Sequence, residues 1–202
     1  MRPKDRETAL EMLRRAKELR FSRLSLELSE GLEWEEVERA AEELGLRVVP
    51  RVTVEGSTRA EMRRALDKVA RRGVITAARP KSLDALRYSS VSKSVHLIRV
   101  EQEVERFIDR SEARLFRSRG WGALELSLGG LSGRRLALLY EISHKAHALD
   151  LNLVISSDAS SPQDMWSPLS VIGLLSSFGI PAWRAKSWLT SVPSYVIDRI
   201  LA

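Results

Sequence analysis

Residues 23–28 read RLSLEL. Leu24, Leu26 and Leu28 fall on one face and Ser25 and Glu27 on the other, which is the period of a β-strand. Two further runs repeat the pattern. LRVVPRVTV (46–54) is rich in β-branched residues yet carries Arg51 and Thr53, and ALELSL (123–128) sets Glu125 and Ser127 opposite its leucines. Strands covered on both faces of an open parallel sheet read as near-continuous apolar runs, which these are not. A barrel accommodates the polar face better, because its outside packs on helices while its inside or mouth holds paired charges.

Between these strands the hydrophobic period changes to that of a helix. Residues 6–20 place Leu10, Leu13, Ala16 and Leu19 at helical spacing behind Asp5, a good N-cap residue. A helix around 33–44 turns Trp34, Val37, Ala41 and Leu44 inward and stops at Gly45; Thr58 with Glu61 makes a capping box for a helix over 59–72 that Gly73 closes. VITAA (74–78), VHLIRV (95–100) and LNLVIS (151–156) add strands, with helices predicted at 83–91, 102–119 and 134–149. Strand starts recur every ~20 to 30 residues, the length of one strand-plus-helix unit, and right-handed crossovers then force parallel pairing. Beyond residue 156 the pattern shifts, and Ser167-Pro168, Pro181 and Pro193 each open a helix with no strand between them. The expectation is an α/β fold: a TIM-barrel-like parallel (β/α) barrel with extra C-terminal helices, forming one domain over 1–202.

Composition narrows the function. With no cysteine, disulfides, thiolate metal sites and cysteine nucleophiles are excluded. No apolar run approaches the roughly 20 residues of a membrane span, and MRPKDRET has no apolar core for a signal peptide, so a cytoplasmic protein is expected. The net charge of +6 is uneven: residues 1–45 carry 9 basic and 12 acidic side chains, residues 46–135 carry 20 and 10, and residues 136–202 carry 4 and 5. Of the 33 basic residues 26 are arginine, whose planar fork grips phosphate and stacks on bases. A nucleic-acid partner follows from that charge, and so does the blander reading that arginine richness reflects genome composition or life at high temperature.

Motifs for protein-borne catalysis are missing. There is no GxGxxG, no GxxxxGK[ST] and no GxSxG elbow. The Gly129–Gly133 loop, followed by Arg134 and Arg135, has the composition to seat a phosphate at a helix N-terminus, or simply to let the chain turn. His144 and His147 sit three apart in SHKAH without the HExxH arrangement, and read as helix-packing or surface residues. Glu27, Glu125 and Asp158 share strands and strand ends with Arg51 and Arg99, a mixture that predicts mutual neutralisation inside a barrel rather than acid–base work. VISSDASSPQDMWSP (154–168) ends a strand in hydroxyls and a carboxylate where barrel enzymes keep their sites. No base, metal ligand or oxyanion partner accompanies Ser156, Ser157 and Asp158, so they are expected to satisfy loop backbone groups and cap the turn. No catalytic residue and no metal ligand is assigned.

The C-terminal third is specific enough to compare. VISSDASSPQDMWSPLSVIGLLSSFGIPAWRAKSWLTSVPSYVIDRILA resembles the closing signature of archaeal ribonuclease P protein component 3, the relative of the eukaryotic thirty-kilodalton subunit, and ALRYSSVSK (85–93) and IDRSEARLF (108–116) look like that family's middle. The resemblance implies a barrel of the triosephosphate isomerase type, similar to polymerase and histidinol phosphatase metal enzymes but without their metal ligands. It implies an archaeal ribonucleoprotein subunit that supports removal of the 5′ leader of precursor tRNA, with ribonuclease P RNA and its Mg2+ performing the hydrolysis and no cofactor on the protein. The implied partners are that RNA, ribonuclease P protein component 2 and, indirectly, precursor tRNA. Two features depart from the family. Its members usually begin with an apolar strand ending in aspartate, whereas only MRPK precedes the first helix here, so one barrel strand is absent. Either the start lies upstream, or the barrel stays open, or terminal helices or a partner cover the gap. In the signature loop Trp166 and Leu169 stand where the family has charged residues. The residues expected to meet RNA are Arg79, Lys81, Arg87, Arg99, Arg106, Arg110, Arg114, Arg117 and Lys186, of which Arg110, Arg114 and Arg117 share a helical face.

Overall fold

The computed structural model describes residues 1–28, 32–69, 73–120 and 122–201. Helix α1 (Arg6–Glu18) leads into β1 (Arg23–Glu27), followed by α2 (Trp34–Glu43), β2 (Arg47–Gly56), α3 (Arg59–Val69), β3 (Ile75–Pro80), α4 (Leu83–Val91) and β4 (Leu97–Arg99). Then come α5 (Gln102–Glu105), α6 (Arg110–Ser118), β5 (Ala123–Ser127), α7 (Gly133–Ala148) and β6 (Leu153–Ser156). Helices α8 (Pro168–Ser177), α9 (Ala182–Leu189) and α10 (Ser191–Leu201) finish the chain.

Local chemistry places these boundaries. Asp5 Oδ1 accepts from the Thr8 amide at 2.8 Å, and Thr58 Oγ1 accepts from the Glu61 amide at 3.2 Å while Glu61 reaches back to the Ser57 amide at 2.8 Å. Ser167 caps α8 through the Ser170 amide at 3.1 Å, with Pro168 in the first position. The single helix expected over 102–119 is instead two pieces. Asp109 takes the Ser111 and Glu112 amides at 2.7 and 3.0 Å, and this side-chain cap restarts the helix at Arg110. The end of the helix expected over 59–72 falls at residues 70–72, outside the described residues.

The six strands are all parallel and lie in sequence order β1 to β6. In a flat sheet β2 and β5 would stand about 14 Å apart at ordinary strand spacing. Arg51 of β2 nevertheless reaches Glu125 of β5, with Nη2 donating to Oε2 at 2.6 Å, so the sheet curls around a common interior. The main core forms where α3, α4, α6, α7 and α8 pack on that curl, and Leu86, Ile98, Leu124, Leu139, Ile142 and Trp188 are among its fully buried members. A second cluster joins Met12, Leu13 and Ala16 of α1 to Val37 and Ala41 of α2, with Leu26 of β1.

β1 and β6 are the edges of the sheet, and they do not pair with each other. The N-terminal residues bridge them at the carboxyl end of the strands: the Glu27 amide donates to Met1 O at 2.8 Å, and the Arg2 amide donates to Ala159 O at 2.8 Å. Below that bridge lies a cavity of about 150 Å³ lined by Leu24, Val154, Ile155, Val196 and Ile197 among others. Arg23 of β1 pairs with Asp198 of α10 at 2.6 Å, fastening the last helix across the opening. The barrel is therefore incompletely closed between β1 and β6, and terminal helices cover the gap, one of the alternatives stated for it above.

Candidate nucleic-acid interface

The strands turn their polar faces into the barrel, where charges meet charges. Arg51 is 3% exposed and Glu125 is 0% exposed. Both Arg51 Nη atoms donate to the two oxygens of Glu125, and Arg51 Nε stands 3.2 Å from Glu27 Oε2. Glu27 also accepts from the Thr53 amide at 2.6 Å and from Thr53 Oγ1 at 2.9 Å. On β4, Arg99 donates to Glu101 at 2.8 Å and to Asp158 at 2.7 Å, and Arg2 pairs with the other Asp158 oxygen at 2.7 Å.

Electrostatics holds Glu125, Asp158, Arg51 and Arg99 ionised. Burial pushes the Glu125 carboxyl up, but the Arg51 charge and its hydrogen bonds outweigh it and leave the group below its ordinary value. Burial acts the same way on Asp158, and the Arg99 hydrogen bond and charge reverse it. The partner arginines are held above their ordinary value, since the carboxylates facing Arg51 and Arg99 offset their burial. A general acid or base exchanges its proton near the working pH, and carboxylates depressed by buried guanidinium groups do not. The interior is an ion-pair lattice, as the alternating carboxylates and arginines predict.

Asp158 corrects one expectation. It does not cap the turn; its carboxylate joins the lattice and accepts from Ser127 Oγ at 3.1 Å. Its backbone takes a left-handed φ of 49°, which turns the side chain back toward the interior. The Ser157 hydroxyl does meet loop backbone, accepting from the Ala159 amide at 3.4 Å. The Gly129–Gly133 loop is tied to its own surroundings. The Gly129 amide donates to Ser127 Oγ at 3.1 Å, Arg135 Nη1 donates to Gly129 O, and a Cβ on Gly129 would stand 3.1 Å from Asp158 O. His144 Nε2 bonds Phe178 O at 2.9 Å and its ring leans on Tyr140 at 4.5 Å, a packing role between α7 and α8. Among the described residues no three His, Asp or Glu side chains come together as a metal site.

The candidate RNA contacts separate by environment. Arg99 is not on the surface as an RNA contact requires: it is 3% exposed inside the barrel and committed to Glu101 and Asp158. Arg79 and Lys81 are at the barrel mouth, and each pairs with Glu55 at 2.7 Å. Arg87 on α4 pairs with buried Glu112 of α6 at 2.9 Å while remaining half exposed. Arg106 is exposed with its guanidinium 4.8 Å from the Phe107 ring centre. Arg110, Arg114 and Arg117 are exposed together on the outer side of α6, opposite buried Ala113 and Phe116. Lys186 is exposed on α9, whose Trp183 is 65% exposed and whose Trp188 is buried.

Helix α3 adds residues that the sequence reading did not single out. Arg59, Arg63, Arg64 and Lys68 are all exposed there, opposite buried Met62 and Leu66. Their signal was available: Arg59 and Arg63, and Arg64 and Lys68, each stand four apart, the spacing that drew attention to α6.

Fold and site together define a parallel (β/α)-barrel protein whose interior charges bind one another and whose outer helices carry the free cationic groups. The description fits what comparison finds. The chain belongs to the ribonuclease P subunit p30 family, whose model matches residues 2–202. It is 37% identical over 142 residues to ribonuclease P protein component 3 of Aeropyrum pernix, a match covering 67% of this chain and 66% of that protein. The backbone is similar to a chain in a cryo-EM structure of archaeal ribonuclease P with mature tRNA, at a TM-score of 0.80 and 20% identity, covering 98% of this chain and 90% of that one. A putative prolidase from Bifidobacterium longum shares the fold at a TM-score of 0.61 and 15% identity, covering 95% of this chain and 64% of that one. Among the described residues no helix is long and apolar enough to cross a membrane.

Proposed function

We propose that this chain is a protein subunit of ribonuclease P, the ribonucleoprotein that removes the 5′ leader of precursor tRNA. It binds and supports the catalytic RNA, and the RNA with its Mg2+ carries out the hydrolysis. The observation that carries this reading is the division of charge: barrel carboxylates are consumed by arginines within, while α3 and α6 keep theirs outside. A surface of that kind grips phosphates and shape rather than reading base sequence. Ribonuclease P protein component 2 is the proposed protein partner, and the cytoplasm the proposed compartment.

Reconstitution tests the proposal. Purified protein alone should leave precursor tRNA uncut, and the ribonuclease P RNA with its other proteins should cleave faster once this chain is added. Equal cleavage with and without the chain would refute the proposal.

A further inference from the structure

Three outer helices, α3, α4 and α6, are locked side by side. The Arg59 amide of α3 donates to Asp84 Oδ2 of α4 at 2.7 Å, and the Arg59 guanidinium lies 5.6 Å from the centre of the Tyr88 ring of α4. On the other side of α4, Arg87 holds Glu112 of α6 at 2.9 Å. Their outward side chains therefore form one face. Arg59, Arg63, Arg64 and Lys68 line one margin, Arg110, Arg114 and Arg117 line the other, and Arg87, Tyr88 and exposed Val91 lie between.

The carboxylates on this face are already engaged by the fold. Glu61 and Asp109 accept helix-end amides, Asp84 accepts the Arg59 amide, and Glu112 is buried beneath Arg87. Glu61, Asp84 and Asp109 keep their charge at exposed positions, and Asp67 is exposed 3.9 Å from Arg63, so four carboxylates face the seven margin cations. An exposed pair at that distance contributes little and leaves the arginine available. Packed helices stand 8–10 Å apart, so the two cationic margins are about 20 Å apart, and the helix between them is net neutral, with Asp84 and Arg87 as its charges.

We propose that this three-helix face is a docking surface for duplex RNA, with the α3 and α6 margins holding phosphates of opposite strands and α4 lying over the groove. The inference rests on the reading of the chain as a ribonuclease P subunit and adds the place and the form of the RNA. A double helix supplies two phosphate tracks, which one row of cations does not require and two rows do. The wide, shallow minor groove of A-form RNA offers a surface that side chains of α4 can approach. Six of the seven margin cations are arginine, which suits bidentate contact with phosphate.

The test uses the full chain and the ribonuclease P RNA. Binding is measured across a salt series for the wild type, an α3 triple variant (Arg63→Gln, Arg64→Gln, Lys68→Gln) and an α6 triple variant (Arg110→Gln, Arg114→Gln, Arg117→Gln). Each triple should flatten the slope of log affinity against log salt by about 2 to 3, because each lost phosphate contact removes roughly 0.7 to 0.9. All substituted positions are exposed and glutamine keeps helix propensity, so thermal melts should superimpose. A short RNA duplex should compete with the ribonuclease P RNA better than either of its single strands. An unchanged slope in the α3 variant, or equal competition by the single strands, overturns the inference. Cleavage by the reconstituted particle reports separately on the subunit role: an α3 variant with a wild-type salt slope in a particle that still requires the chain would sink this surface alone.

Discussion

Replacing Glu125 by glutamine isolates the energetics of the barrel interior. Glu125 is 0% exposed and receives both Arg51 Nη atoms, so Glu125→Gln keeps the shape and one acceptor but leaves a buried guanidinium short of its main counter-charge. Glu27, at 3.2 Å from Arg51 Nε, supplies partial compensation. Breaking a buried pair from one side costs about 3 to 5 kcal/mol, and the retained hydrogen bond with the Glu27 charge puts the expected loss at the lower end, about 3 kcal/mol. In a protein of this size that lowers Tm by about 6 to 12 °C. The sign of the pH dependence follows from the carboxyl. Its folded value lies below the ordinary 4.5, so the wild-type contribution is full above 4.5 and is lost as pH falls through the folded value. The stability gap between wild type and Glu125→Gln should therefore be widest near neutral pH and narrow below pH 4.5. The double variant Arg51→Met with Glu125→Leu should recover most of the loss, because both desolvation penalties vanish together. Urea unfolding of the three proteins over a pH series measures all of this. A loss under about 1 kcal/mol at neutral pH, or a gap independent of pH, would refute the account of Arg51 and Glu125 as a tightly coupled buried pair.

Two other perturbations have clear signs. Asp109→Ala removes the acceptor of the Ser111 and Glu112 amides and should lower stability by about 1 kcal/mol, with faster amide exchange confined to the first turn of α6. His96 Nδ1 accepts from the Thr76 amide at 2.9 Å, and burial, with the Arg119 charge, lowers its pKa from 6.5 to about 4. The unfolded chain then takes up the proton first, so this contribution is complete above pH 6.5 and declines as pH falls toward 4; His96→Asn should flatten the unfolding profile in that window, and an unchanged profile would place the neutral imidazole elsewhere.

Sequence by itself determined the alternation of strands and helices, because each element announces its period and its cap within a few residues: RLSLEL as a strand, Asp5 and Ser167-Pro168 as helix starts. It also determined that the strand polar faces hold paired charges, since carboxylates and arginines recur on one face of β1, β2 and β5. Pairing partners were not legible. Arg51 meets Glu125 across 74 residues and Arg99 meets Asp158 across 59, contacts that exist only because the sheet curls. Arg99 reads in the sequence both as a partner of the barrel carboxylates and as an RNA contact, and the curl of the sheet places it with the carboxylates. The break at Asp109 escaped because a helical period continues through it while the competing side-chain cap is a matter of geometry. Tertiary structure alone decided how the gap between β1 and β6 is covered, and that the arginines of α3 share a face with those of α6. Both depend on which helices the curl sets side by side, and helical spacing within one element carries no information about its neighbour.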